Sequence, residues 1–196
     1  MKPFTVHRGR LAPLDRINVD TDQIIPKQFL KRIERTGFGE FVFYDWRFAA
    51  DGTKHPDFVL HQPRYQGASI LVAGKNFGCG SSREHAVWAL YDYGVRVVIA
   101  ASVGDIFASN AGKNGLLIIL LRASQVAEMI GKLEAQPGLH VSVDLETQTV
   151  ATPDGVSHRF EIDAYQKRCL MEGLDELGYT LTQLDRIEAF ERNYAY

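Results

Sequence analysis

Cysteine is scarce in this sequence: its 196 residues include two, Cys79 and Cys169, far apart in the chain. That usage argues against a disulfide framework, and two thiols fall short of the three or four thiolates that hold an iron–sulfur cluster. No CxxC pair and no HExxH occurs, and His7, His55, His61, His140 and His158 show no ligand spacing. No metal site is therefore expected in this chain, and any metal it uses must come from elsewhere. Long apolar runs are missing too, since a stretch such as Gly115 to Leu121 is too short to span a bilayer. The start, Met1 to Arg8, lacks the apolar core and cleavage site of a signal peptide, so a cytoplasmic protein is the expectation. Neither sign of charge dominates: the formal net charge is -2 and no block of like charges appears, which gives no reason to expect a nucleic-acid or membrane partner.

What is present suits one globular domain over residues 1–196, with 45% hydrophobic and 23% charged residues and no internal repeat. The first third reads as loop-rich. Asp15 to Asp22 has the Asp and Asn density of turns and capped helix starts. A short helix is predicted over residues 27–33. The aromatic cluster Phe41, Phe43, Tyr44, Trp46 and Phe48 that follows is expected in the core. From Ala68 the pattern becomes α/β. Strands are predicted at 68–73, 95–100 and 116–121. A helix at about 83–93 closed by Gly94, a short one around 105–107 and another at 124–135 lie between or after them. Alternation of this kind implies parallel neighbours. Period-two patterns at 140–145, 149–151 and 158–162 then predict antiparallel hairpins. Asp163 with Gln166 signals a capped helix to about Leu174, and a last helix near 182–194 puts Leu184, Ile187 and Phe190 on one face. The fold class is thus α/β: a mostly parallel sheet with helices, plus a smaller antiparallel sheet.

Gly78-Cys79-Gly80-Ser81-Ser82-Arg83-Glu84-His85 lies between a predicted strand and helix. A helix start offers free N–H groups and the positive end of its dipole, and Arg83 adds a planar fork matched to a carboxylate. These residues suit an anion. Ser81-x-x-Glu84 also reads as a capping box, and Cys79 with His85 as a thiol nucleophile pair. Other motifs fail at specific letters: Arg83 stands where a Rossmann fingerprint needs Gly, and Asn76 where a Walker A loop needs Ser or Thr after Gly74-Lys75.

The same octapeptide resembles the signature of the swivelling domain of the aconitase superfamily. The chain as a whole is similar to the small-subunit family of 3-isopropylmalate dehydratases, at Asn18 to Leu30, Thr36 to Gly39, Asp45 to Phe48, Pro56 to Leu60, Asn76 to Ala86, Asn114 to Leu117 and Cys169 to Asp175. The resemblance implies a hydro-lyase of leucine biosynthesis made of two proteins, acting on a small dicarboxylate. It implies no cofactor bound by this chain, and a large-subunit partner whose 4Fe-4S cluster leaves one iron open to substrate. It makes Ser81 the general base and gives Ser82 and Arg83 a substrate carboxylate. Thr21 becomes a candidate substrate contact, and residues 28–33 read the variable part of the substrate. Within that loop Phe29, Leu30 or Ile33 suits an isopropyl group, and Lys31 or Arg32 an extra carboxylate.

The chain departs from the family pattern at Val103, Gly104, Ala111, Gly112 and Ile118, where other residues are usual. These departures leave room for a paralogue acting on citraconate, maleate or dimethylmalate. A carboxylate-binding module without activity is the reading from another class.

Overall fold

In the computed structural model, residues 1–31, 34 and 36–194 are described. Among them seven strands form one sheet: β1 (Val6–Leu14), β2 (Ile70–Ala73), β3 (Val97–Ala100), β4 (Leu117–Leu120), β5 (His140–Asp144), β6 (Thr149–Ala151) and β7 (Ser157–Arg159). The spatial order is β4-β3-β2-β1-β5-β6-β7, parallel from β4 to β1 and antiparallel from β1 to β7. The helices are α1 (Thr21–Ile24), α2 (Tyr44–Arg47), α3 (Glu84–Tyr93), α4 (Asp105–Lys113), α5 (Ala123–Ala135), α6 (Ala164–Glu172), α7 (Glu176–Leu181) and α8 (Leu184–Asn193). Short 3-10 turns at Lys27–Lys31 and Phe38–Phe41 lie between α1 and α2.

Every residue of β2 and β3 is buried. A strand with no polar face needs cover on both sides, and the two cores supply it. Leu71, Ala73, Val98 and Ala100 face a cluster that includes Ala86, Val87 and Leu90 of α3 and Phe107 of α4. Ile70, Val72, Val97 and Ile99 face the opposite cluster, with Val126, Met129, Ile130 and Leu133 of α5. The parallel half is thus a three-layer sandwich.

The predicted parallel and antiparallel halves are both present, and β1 joins them. The loop-rich reading of the first third misses β1, which contains Gly9 and Pro13. Its register explains how it tolerates the proline. Residues 11–14 pair with β2, whereas the β5 ladder covers residues 6–10. Leu11 donates its N–H to Leu139 on the β5 side at 3.1 Å. The Pro13 nitrogen faces that same side, past the start of β5, so its missing N–H costs no ladder bond.

Three other elements differ from expectation, α4, α7 and α8. α4 runs to Lys113, well beyond Phe107, and α7 is an additional helix. The expected Asp163 cap forms, its side chain accepting from Gln166 N at 3.0 Å, and α6 ends at the Gly173 cap, close to the expected Leu174. The apolar stripe of α8 is uncovered: Leu184 and Phe190 are exposed and Ile187 is half-buried. In the aromatic cluster Phe43 is fully buried, while Phe41, Tyr44, Trp46 and Phe48 are half-buried around it.

Leu11 is fully buried where the two halves meet. Leu11→Ala is expected to lower unfolding free energy by about 2–5 kcal/mol, read as an earlier midpoint in urea; an unchanged midpoint would mean that β1 does not carry the joint.

Candidate functional site

Beyond the C-terminal ends of β1, β2 and β3 the chain keeps its parallel course for a few residues more. Asn18 N–H donates to Lys75 O at 2.9 Å, Gly78 N–H to Val19 O at 2.7 Å and Thr21 N–H to Cys79 O at 2.9 Å. On the other side Phe77 N–H donates to Ser102 O at 3.1 Å and Gly104 N–H to Phe77 O at 2.9 Å. The 18–21, 75–79 and 102–104 segments therefore lie side by side at the edge where open parallel sheets present their ligands. That edge carries the signature loop.

The loop can make its turn there because two positions lack side chains. Gly78 has φ +68°, and a Cβ on it would lie 2.2 Å from the Phe107 ring. Gly80 has φ +90° and passes over α1, with an added Cβ 3.4 Å from that of Asp20. Both are left-handed conformations that other residues adopt at a cost. Gly104 lies against the same loop, since a Cβ there would meet Gly78 O at 2.8 Å. This departure from the family pattern therefore touches the loop from beneath. Gly112 instead faces Gln166 of α6.

The loop and α1 bring together residues sixty positions apart. Ser81 and Ser82 are exposed, whereas Thr21 beneath them is buried. The Thr21 hydroxyl donates to Ser81 O at 3.0 Å and lies 3.4 Å from Ser81 Oγ. Arg83, partly buried, forms an ion pair with Asp22. Asp20 fixes α1 by a capping box, its side chain accepting from Gln23 N at 2.8 Å while Gln23 Oε1 accepts from Asp20 N at 3.0 Å.

The capping-box reading of Ser81-x-x-Glu84 is corrected. Arg83 is the residue before α3, and no side chain caps that helix. The Glu84 carboxylate is engaged elsewhere: it accepts from Asn114 Nδ2 at 2.8 Å, and Asn114 Oδ1 accepts from Trp88 Nε1 at 3.0 Å. Asn114 thus ties the start of α3 to the end of α4. It was visible in the sequence as part of a matching stretch, but no local pattern marks its partner. His85 packs its ring against Phe38 and Trp88, with centroids 5.4 and 4.6 Å away. Burial pushes its pKa below the ordinary value; the Glu84 carboxylate opposes that shift and Arg83 adds to it.

The other candidates lie on the 3-10 turn that follows α1. Phe29 stacks on Phe41 at 4.1 Å and meets Tyr44 edge-on at 4.8 Å, while Leu30 is half-buried against the core and Lys31 is exposed. Arg32 and Ile33 lie outside the described residues. The buried Arg47 steadies the neighbouring turn by donating to the carbonyls of Glu40 at 3.2 Å and Val42 at 3.1 Å. Among the described residues no group of three or more His, Cys, Asp or Glu is arranged to hold a metal ion. No helix of the described residues is long and apolar enough to cross a membrane.

The chain matches the family model of the aconitase C-terminal domain over residues 1–124, and the LeuD_N model over residues 127–164. The 3-isopropylmalate dehydratase small subunit of Brevibacillus brevis is 54% identical over 97% of this chain and 98% of its own. That of Koribacter versatilis is 55% identical over 100% of both. A crystal structure of 3-isopropylmalate dehydratase from Methanocaldococcus jannaschii is similar with TM-score 0.67 and 26% identity, over 95% of this chain and 99% of that one. A fold of the same kind, and identity above one half along almost the entire length, place this chain in the family of 3-isopropylmalate dehydratase small subunits.

Proposed function

We propose that this chain is the small subunit of a 3-isopropylmalate dehydratase, a hydro-lyase that interconverts 2-isopropylmalate and 3-isopropylmalate through isopropylmaleate. The observation that carries the reading is the pairing of an exposed Ser81 with a neighbouring Arg83 fork on the loop that the family shares.

The chemistry follows from what the substrate needs. Removing a proton beside a carboxylate builds up negative charge on that carboxylate, and the charge must be met by fixed positive groups. Arg83, with the Ser82 hydroxyl, holds the carboxylate; the planar guanidinium can donate two parallel hydrogen bonds to it. Ser81, next to that cation, takes the proton in its ionised form. A neighbouring positive charge favours such ionisation. Arg83 Nη1 pairs with the Asp22 carboxylate of the same chain. Phe29, Leu30 and Lys31 lie on the segment that reads the variable end of the substrate, Phe29 and Leu30 toward an isopropyl group. Thr21, a candidate substrate contact by resemblance, is buried with its hydroxyl against Ser81.

Cys79 and Cys169 fall short of the three or four thiolates that hold an iron–sulfur cluster, so the cluster implied by the resemblance is assigned to the partner large subunit. There it would supply a Lewis acid for the departing hydroxyl. The exposure of Ser81 and Ser82 suits this division of labour, since a second protein can reach them directly.

Three outcomes test the reading. Neither subunit alone should produce isopropylmaleate, followed by its ultraviolet absorbance, whereas the mixture should. Ser81→Ala should abolish turnover by the mixture with the fold intact. Arg83→Lys, which keeps the charge and loses the fork, should lower kcat/KM by about 10- to 10²-fold, in line with loss of a charge-assisted pair worth about 1.5–3 kcal/mol. An active Ser81→Ala complex would overturn the assignment of the base. In addition, Gly78→Ala should impair the mixture through displacement of the loop by Phe107, with a circular dichroism spectrum close to the parent's.

A further inference from the structure

We infer that the Thr21 hydroxyl is a one-proton switch beneath Ser81, donating to the Ser81 carbonyl while Ser81 is neutral and to Ser81 Oγ once Ser81 is ionised. The inference deepens the proposed function and rests on the reading of Ser81 as the base.

A threonine hydroxyl has a single proton to give, and this one faces two oxygens of the same residue. Ser81 O is 3.0 Å from Thr21 Oγ1 and Ser81 Oγ is 3.4 Å away. Thr21 is 1% exposed, so water does not compete for that proton. With Ser81 neutral, the nearer carbonyl takes it. With Ser81 ionised, the alkoxide is the stronger acceptor, because bonds to a charged oxygen are shorter and roughly twice as strong as neutral ones.

Such a switch fails if it strands a buried carbonyl, since an unpaired acceptor costs about 1–3 kcal/mol. Here it does not. Ser81 O also accepts from Arg83 N–H at 2.8 Å, and that bond persists when the Thr21 proton turns away. Nothing else has to move. Thr21 is held through its own N–H to Cys79 O at 2.9 Å and its carbonyl from Ile25 N–H at 3.0 Å. A β-branched side chain adds a stiff χ1. The switch is therefore rotation about one C–O bond.

Protons balance over the cycle. Ionisation releases the Ser81 proton to solvent. The alkoxide then takes a proton from the substrate carbon and becomes a hydroxyl again, while the Thr21 proton returns to the carbonyl. Thr21 gives up none. It acts on Ser81 and is a positioning residue.

The titratable and charged groups on the elements around Ser81 are Asp20, which caps α1, Asp22 within it, Cys79 and Arg83 of the loop, Glu84 and His85 at the start of α3, and Asp105 at the start of α4. Thr21→Val leaves all of them in place, so a shifted pH profile in that variant reports the lost hydroxyl. The experiment measures kcat, KM and the pH profile of kcat/KM for the complex of small and large subunits. Thr21→Val is expected to lower kcat about 10²-fold, the usual effect of losing one donor to a developing oxyanion, with KM nearly unchanged. The acid limb should move to higher pH, because losing a donor disfavours the charged form. Thr21→Ser keeps the hydroxyl and should recover most of the rate and the parent limb.

A raised KM with kcat retained would make Thr21 a direct substrate contact and overturn the switch. Equal losses in the Val and Ser variants with an unmoved limb would reduce Thr21 to packing and overturn it likewise. Turnover by Ser81→Ala would instead defeat the base assignment itself, whatever Thr21 does.

Discussion

The functional face depends on backbone bonds between segments that are distant in sequence. Residues 18–21 and 75–79 are held side by side by three main-chain bonds of 2.7–2.9 Å. The proposed group of Ser81, Ser82 and Arg83 follows directly on that seam. The seam sets α1 under the signature loop, puts the Thr21 hydroxyl against Ser81 and lets Asp22 reach Arg83. Side chains on loops usually wander, but here the loop is an extension of the sheet and inherits its register.

Gly78 and Gly104 serve that same close approach. Gly78 lets the Phe107 ring close over the backbone, and Gly104 lets α4 start directly beneath the Gly78 carbonyl. Small residues at these points reduce the spacing between layers, and so bring polar side chains from three strands to one edge. The departure at position 104 is thereby given a place in the architecture. For Ile118, half-buried in β4, the structure offers no comparable account.

Much of this was legible in the sequence, and the boundary follows a physical line. β2, β3 and β4 were legible because apolar runs bounded by turn residues have few other readings, and α3 because Gly94 ends it. The octapeptide pointed to Ser81, Ser82 and Arg83 as a group that suits an anion. β1 was not legible, because Gly9 and Pro13 carry local signals against a strand that only the register with β2 and β5 overrides. Nor were the Thr21–Ser81 and Glu84–Asn114 bonds, since hydrogen bonds across 60 and 30 positions leave no periodicity. α4 outran its expected length because Asn110 and Gly112 weaken the helical pattern that tertiary packing then enforces.

The Asp22–Arg83 pair has one more implication. Under the role proposed for Arg83, a substrate carboxylate reaches a guanidinium already paired with a carboxylate of the same chain. Capture is then an exchange of partners in which the Asp22 charge stays close by, so affinity at this point measures how much better the incoming group fits than the resident one.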